Sequence, residues 1–305
     1  MQPLVIEAAL NGATPKARNP HVPLSPSEIA RDALACLEAG AAIIHSHVDD
    51  FALTGEAAAA RYMEGWAPVL AARPDAILCC TVAQGLGARG ERFAERFGHL
   101  PPLARAGMRM GVFDPGSVNL ATQGEDGLPG AVQTVYTNTF HHIARLAALH
   151  VEAGLGPSYA VYEPGFLRTI LAYDRAGRTP PGALVKLYFG GDYNIIDGRP
   201  SHVTFGLPPT ARALDAYLEM LEGCDLPWSA AVVGGDVAAT PLARLAIELG
   251  GHVRVGLEDF GGERAPSNVE LVAEVAAMAA RCGRPVATPD EAAAILRLPA
   301  RAAAD

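Results

Sequence analysis

Two histidines stand two residues apart in Ile43-Ile44-His45-Ser46-His47-Val48-Asp49, an apolar stretch that reads as a β-strand. Side chains alternate along a strand, so His45 and His47 leave it on the same side. They fall at its C-terminal end, just before polar loop residues. Two converging imidazoles begin a metal site, and Zn²⁺ is a natural occupant. The competing reading is a hydrogen-bonded pair of histidines with no metal. A second stretch, Gly251-His252-Val253-Arg254-Val255-Gly256-Leu257-Glu258-Asp259, puts Arg254, Gly256 and Glu258 on one face of another expected strand. If that face is the inside of a barrel, Glu258 supplies a third ligand and a position stays open for substrate. Asp259 follows at the rim, close to Arg254. A carboxylate beside a guanidinium stays ionised and can act as a base. The competing reading here is a structural ion pair that closes the barrel.

The elements that must position these residues follow from hydrophobic periodicity. Strands are expected at Leu4–Leu10, Ala41–His47, Ala76–Val82, Met108–Phe113, Tyr159–Tyr162, Leu184–Phe189, Ser229–Val233 and His252–Leu257. Helices are expected at Ser27–Ala39, Glu56–Ala72, Asn138–Ala153, Gly165–Ala176, Pro209–Leu221, Thr240–Leu249, Asn268–Cys282 and Pro289–Leu296. Pro26 marks the start of the first helix and Gly40 its end. Continuous apolar strands, each followed by a helix, predict a (β/α)₈ TIM barrel, with a doubly wound open sheet as the rival. No linker divides the chain, so residues 1–305 read as one domain. Ala83–Arg105 and Gly116–Gln133 carry no clear periodicity. Both follow strands and therefore belong at the C-terminal face, where barrel enzymes place their sites.

Weaker features cluster at the same strand ends. Cys79-Cys80-Thr81 closes the third strand, so one cysteine must face inward; a buried cysteine is usually a small hydrophobe, the reading favoured for Cys79. Gly116-Ser117-Val118-Asn119 follows the fourth strand, and Glu163 the fifth. Gly85-Leu86-Gly87-Ala88-Arg89-Gly90 fits GxGxxG but lacks a surrounding βαβ unit with an acidic ribose partner, so it reads as a flexible active-site loop. His141, His142 and His150 are expected to be surface or cap residues of a helix.

The 305 residues are 50% hydrophobic and 19% charged, which argues against disorder. Net charge is −9, which disfavours a nucleic-acid partner. Lys16 and Lys186 are the only lysines. The five cysteines are odd in number and form no CxxC, so a reducing compartment fits. The N-terminus lacks a signal-peptide layout, and no run of about 18 apolar residues marks a membrane span. The expectation is a cytoplasmic protein with no membrane partner.

Taken together, these motifs resemble the β-keto acid cleavage enzymes, typified by 3-keto-5-aminohexanoate cleavage enzyme. The resemblance rests on the opening Leu4-Val5-Ile6-Glu7-Ala8-Ala9-Leu10-Asn11-Gly12-Ala13, on Ala39 to His47, and on Val161-Tyr162-Glu163-Pro164-Gly165. It extends through Gly250 to Asp259 and Gly283-Arg284-Pro285-Val286-Ala287-Thr288-Pro289. It implies a (β/α)₈ barrel, a homo-oligomer (dimer or tetramer), and zinc held by His45, His47 and Glu258. It implies that Asp259, oriented by Arg254, is the base. The implied reaction turns a β-keto acid plus acetyl-CoA into acetoacetate plus a new acyl-CoA.

The chain departs from the family where substrate would sit. Relatives often have Thr-Gly-Ala-Glu after the first strand; here it is Asn11-Gly12-Ala13-Thr14. Thr14 cannot pair with a substrate ammonium, so a keto acid without an amino group is expected. Cys80-Thr81 stands where Ser-Thr is common, Ser117 where a threonine is, and Phe260 where a polar residue is. Thr14, Cys80, Thr81, Ser117, Asn119 and Glu163 are thus the expected substrate contacts. Anionic CoA requires a local positive patch or helix N-termini at the mouth. A zinc hydrolase on the same barrel and an inactive binding protein are the alternatives. His252 gives the hydrolase little support, because it sits at the wrong end of its strand.

Overall fold

The computed structural model describes residues 1–83, 93–130, 135–194 and 197–300. The apolar stretches form parallel strands β1 (Ile6–Ala9), β2 (Ile43–Ser46), β3 (Ile77–Cys80), β4 (Met110–Phe113), β5 (Gly156–Val161), β6 (Leu184–Gly190), β7 (Trp228–Val233) and β8 (His252–Val255). They close in chain order, with β1 pairing to both β2 and β8. This is the expected (β/α)₈ barrel. Strands covered on both faces need no polar alternation, which is why each reads as an apolar run.

The surrounding helices begin and end on local chemistry. Those placed directly after strands or their loops are α1 (Pro26–Ala39), α2 (Gly55–Ala72), α5 (Phe140–Ala153), α6 (Pro164–Arg175), α7 (Ala211–Met220), α8 (Pro241–Glu248) and α9 (Asn268–Arg281). Ser25 and Glu28 form a capping box at the start of α1, and Gly40 ends it in the left-handed region. Ser267 and Glu270 repeat the device at α9.

A last helix, α10 (Pro289–Leu296), lies across the N-terminal end of the barrel. Its Ala292 and Leu296 pack with Val5, Ile43, Ile77, Met110 and Leu184, the residues that open or precede their strands. Arg284, 2% exposed, ties this end together: Nη1 donates to the Gly251 carbonyl at 2.6 Å and Nε to that of Gln2 at 2.8 Å. His252 is placed at the same end, its Nδ1 accepting from the Val5 amide at 3.0 Å.

Several expectations are corrected. Ala83–Arg105 contains two short helices, α3 (Phe93–Phe97) and α4 (Leu100–Arg105). The GxGxxG segment lies outside the described residues. Strand β5 begins at Gly156 rather than Tyr159, and β8 stops at Val255. His150 is fully buried, not a surface or cap residue. Its ring nitrogens lie 2.8 Å from the Leu146 carbonyl and 3.2 Å from that of Gly111, where the glycine leaves room for the imidazole. Of Gly116–Gln133, the described residues 116–130 are irregular, yet pinned: Thr122 bridges to Val203 and Val118 to Tyr136. Among the described residues, no helix is long and apolar enough to cross a membrane.

Candidate active site

The register of the closed barrel builds the site where β1 meets β2 on one side and β8 on the other. Ala9 pairs with His45, and Glu7 pairs with Arg254, so β2, β1 and β8 present their side chains to one interior space. His45 is 4% exposed; His47 follows the last residue of β2 and stays on the same side. Asn11 fixes it there. Asn11 Oδ1 accepts from the His47 amide at 2.8 Å, and its Nδ2 donates to the His47 carbonyl at 3.1 Å. These bonds hold the backbone and leave the ring free to turn inward.

Glu258 reaches the site differently from the sequence expectation. The strand ends at Val255, and Glu258 is carried by a turn rather than by strand alternation. The turn depends on Gly256, whose φ is +149° and whose missing Cβ would lie 2.1 Å from the Ala9 carbonyl oxygen. Gly12 is the matching clearance from the other side, since a Cβ there would meet Glu258 Cγ at 2.5 Å. Gly256→Ala is therefore expected to cost about 2 kcal/mol or more in urea unfolding, through both strain and steric clash. Parental stability in that variant would show that the turn can relax.

His45 Nε2 lies 3.1 Å from Glu258 Oε2, and His47 Nε2 lies 3.3 Å from Oε1. Two ligands on one tetrahedral ion at ordinary Zn–N and Zn–O lengths stand about 3.3 Å apart, so the spacing suits a shared ion. Yet among the described residues His47 Nε2 and Glu258 Oε2 are buried atoms without a directed hydrogen bond. A cation between them would satisfy both. Among the described residues this is the one group of three whose donor atoms lie within 4.8 Å of one another. Burial pushes His45 down to about 4, leaving it neutral, the form that ligates a metal. Burial alone would raise the Glu258 carboxyl, but His45, Arg254 and His47 reverse this and hold it well below the usual range. The donor set fits a divalent ion.

Arg254, 1% exposed, is the hub beside this cluster. Nη2 lies 2.9 Å from Glu258 Oε1, Nε donates to Asp259 Oδ2 at 2.7 Å, and Nη1 to Glu7 Oε1 at 2.6 Å. Its guanidinium carbon sits 5.5 Å above the Tyr188 ring, which stacks on Tyr162 at 5.0 Å. Asp259 Oδ1 keeps only a long contact to Arg254, 3.4 Å. Burial raises the Asp259 carboxyl, with Arg254 opposing, and a raised carboxyl is the stronger base.

The expected substrate contacts scatter. Thr14 is buried beside the cluster, its hydroxyl donating to the Leu257 carbonyl at 3.0 Å. The expectation for Cys80 is corrected. His45 pairs with Cys79, so Cys79 faces the interior and Cys80 faces the helices, its sulfur 3.5 Å from His99 Nε2. The Thr81 carbonyl is taken by His99 Nε2 at 2.8 Å. Ser117 Oγ accepts from the Asn138 amide at 2.9 Å, a loop tie, and Asn119 is exposed. Glu163 Oε1 accepts from the Gly206 amide at 3.1 Å and so braces two loops.

Other residues at the site had no role assigned from sequence. Glu7 and Lys186 are buried charges inside β1 and β6, 3.4 Å apart. A charge in mid-strand within an apolar run was the available signal. Asp114, just past β4, is buried and accepts from the Tyr136 hydroxyl.

The chain's similarities cover nearly its whole length. The beta-keto acid cleavage enzyme family matches residues 3–298. A 3-keto-5-aminohexanoate cleavage enzyme of Fusobacterium nucleatum is 32% identical over 98% of this chain and 99% of the relative. A 3-oxoadipate:acetyl-CoA acetyltransferase of Cupriavidus necator is 29% identical over 98% of this chain and 96% of the relative. Among solved structures, ObcA in a binary complex with oxaloacetate aligns with a TM-score of 0.69 at 18% identity, covering 92% of this chain and 68% of that one. At that identity the likeness concerns the barrel fold alone.

Proposed function

The chain belongs to the β-keto acid cleavage enzyme family, and from that premise we propose that it converts a β-keto acid and acetyl-CoA into acetoacetate and a new acyl-CoA. The observation that carries this reading is the convergence of His45, His47 and Glu258 next to the Arg254–Asp259 pair at the C-terminal mouth. Two relatives are named for reactions on β-keto acids, and one of those names includes acetyl-CoA.

In this reading His45, His47 and Glu258 hold zinc, with Arg254 steadying Glu258 from behind. Bound there, the ion supplies Lewis-acid polarisation of the β-ketone oxygen. Asp259 takes the C2 proton of the keto acid on a carboxylate oxygen, and Arg254 Nε holds that carboxylate in place. Across the exchange, C2 leaves its own β-carbon for the acetyl carbon, and the CoA sulfur makes the opposite move. Asp259 keeps the proton meanwhile and returns it to C2 of acetoacetate, so no proton is consumed. Tyr188 and Tyr162 form an apolar wall that shields the charged pair from water.

The relatives' names span an amino-substituted keto acid and a dicarboxylic one. In this chain Thr14 carries no charge for an ammonium, so the reading favours a neutral or hydroxylated side chain. It also takes the protein as a cytoplasmic homo-oligomer, which light scattering of the purified protein tests in part.

The deciding experiment mixes purified protein with acetyl-CoA and aliphatic, hydroxylated, amino and dicarboxylic β-keto acids. Acetoacetate and the matching acyl-CoA are expected together, with the amino member the poorest. Efficient turnover of the amino member rejects the substrate preference. Metal-loaded protein that releases no acetoacetate with any member rejects the exchange, and cleavage that needs no CoA turns the assignment to a hydrolase.

A further inference from the structure

Arg254 carries one positive charge and faces three carboxylates: Glu7 at 2.6 Å, Asp259 at 2.7 Å and Glu258 at 2.9 Å. Only a guanidinium that spans all three leaves Asp259 and Glu258 where the chemistry needs them. Glu7 sits on the side away from the mouth and competes for it. Its Oε1 is shared between Arg254 and Lys186, at 2.6 and 3.4 Å, while Oε2, fully buried, has no hydrogen-bond partner among the described residues. Lys186 is 3% exposed and comes from β6 across the barrel. Among the described residues, Glu7 is its ion partner, and the Tyr188 ring lies 5.7 Å from its Nζ.

We propose that Lys186 is a positioning residue for the exchange: by holding and part-neutralising Glu7, it keeps Arg254 stretched toward Asp259 and Glu258. Without Lys186, the free Oε2 of Glu7 turns to take a second guanidinium nitrogen. A bidentate pair of that kind is the strongest geometry open to an arginine. It draws Nη2 or Nε off Glu258 or Asp259 and misplaces the base. A buried lysine that merely filled space would have no such directional effect. The inference rests on the proposed exchange for its kinetic readout and on geometry alone for its structural one.

The test compares Lys186→Met with the double variant Glu7→Gln/Lys186→Met. The single variant is expected to keep its zinc, to hold KM for the keto acid within about twofold, and to lose kcat by about 10- to 100-fold, the scale of a misplaced catalytic group. The double variant removes the competing carboxylate with its counter-charge and is expected to regain most of that kcat. A single variant within about twofold of the parent in kcat, or a double variant no more active than the single, overturns the proposal. If Lys186→Met does not fold, the charge-balanced double variant decides: kcat within about tenfold of the parent supports the role, and a folded, zinc-loaded but slower protein overturns it. If the parent itself releases no acetoacetate, it is the exchange that has failed. A crystal structure of Lys186→Met then decides: Arg254 bidentate on Glu7 supports the role, and Arg254 still spanning all three carboxylates refutes it.

Discussion

Asp259→Asn is expected to fold, to bind zinc like the parent, and to form acetoacetate about a thousandfold more slowly, in line with what a positioned general base contributes. The substitution keeps the shape of the side chain, and its amide oxygen can still accept from Arg254 Nε, now 2.7 Å from Asp259 Oδ2. The proposed metal ligands are untouched, because Glu258 keeps its own contact to Arg254 Nη2 at 2.9 Å. What disappears is the oxygen that can take a proton. Measuring kcat beside metal content separates the two roles. A second check is exchange of the C2 hydrogen of the keto acid with D₂O in the absence of acetyl-CoA, which should vanish with turnover. Near-parental kcat in this variant would mean that another group removes the proton.

His45→Ala is expected to fail earlier, losing metal and activity together. His45 is the most deeply buried of the three candidate ligands, and its removal leaves two donors where a stable site needs at least three. The loss in affinity should exceed the roughly 10- to 100-fold that follows removal of an outer-shell partner. Stability gives an independent reading. An ion bound only to the folded state at 100 times its Kd adds about 2.7 kcal/mol, so a chelator should lower the melting temperature of the parent and leave that of His45→Ala unchanged. If the variant retained a full equivalent of metal, the ligand set would have to be redrawn.

Much of this arrangement can be read from the chain before folding. The alternation of buried strands and amphipathic helices gives the barrel, and the spacing of His45 and His47 gives a shared side. Two things escape such reading. The first is parity: whether Cys79 or Cys80 faces inward depends on the pairing of β3 with β2, a long-range fact that local sequence does not contain. The second is where a strand stops. Alternation through Gly256 to Glu258 leads to the right side of the barrel by the wrong route, since a turn takes over at Gly256. Glu7 and Lys186 are isolated charges within apolar strands, but only closure of the barrel brings β1 and β6 face to face across its interior.

The helix that seals the N-terminal end of the barrel has a consequence for traffic. Ala292 and Leu296 of α10 pack on a floor of Val5, Ile43, Ile77, Met110 and Leu184, so among the described residues that end is filled by apolar side chains. In the proposed exchange both reactants and both products would then use the C-terminal mouth. A long thioester lying in that doorway bars it to a smaller molecule bound deeper. For the proposed exchange the expected order is keto acid first and thioester second, with acetoacetate leaving after the acyl-CoA, an order that product-inhibition kinetics check. In a chamber with one door, the size of the carrier sets the order of the queue.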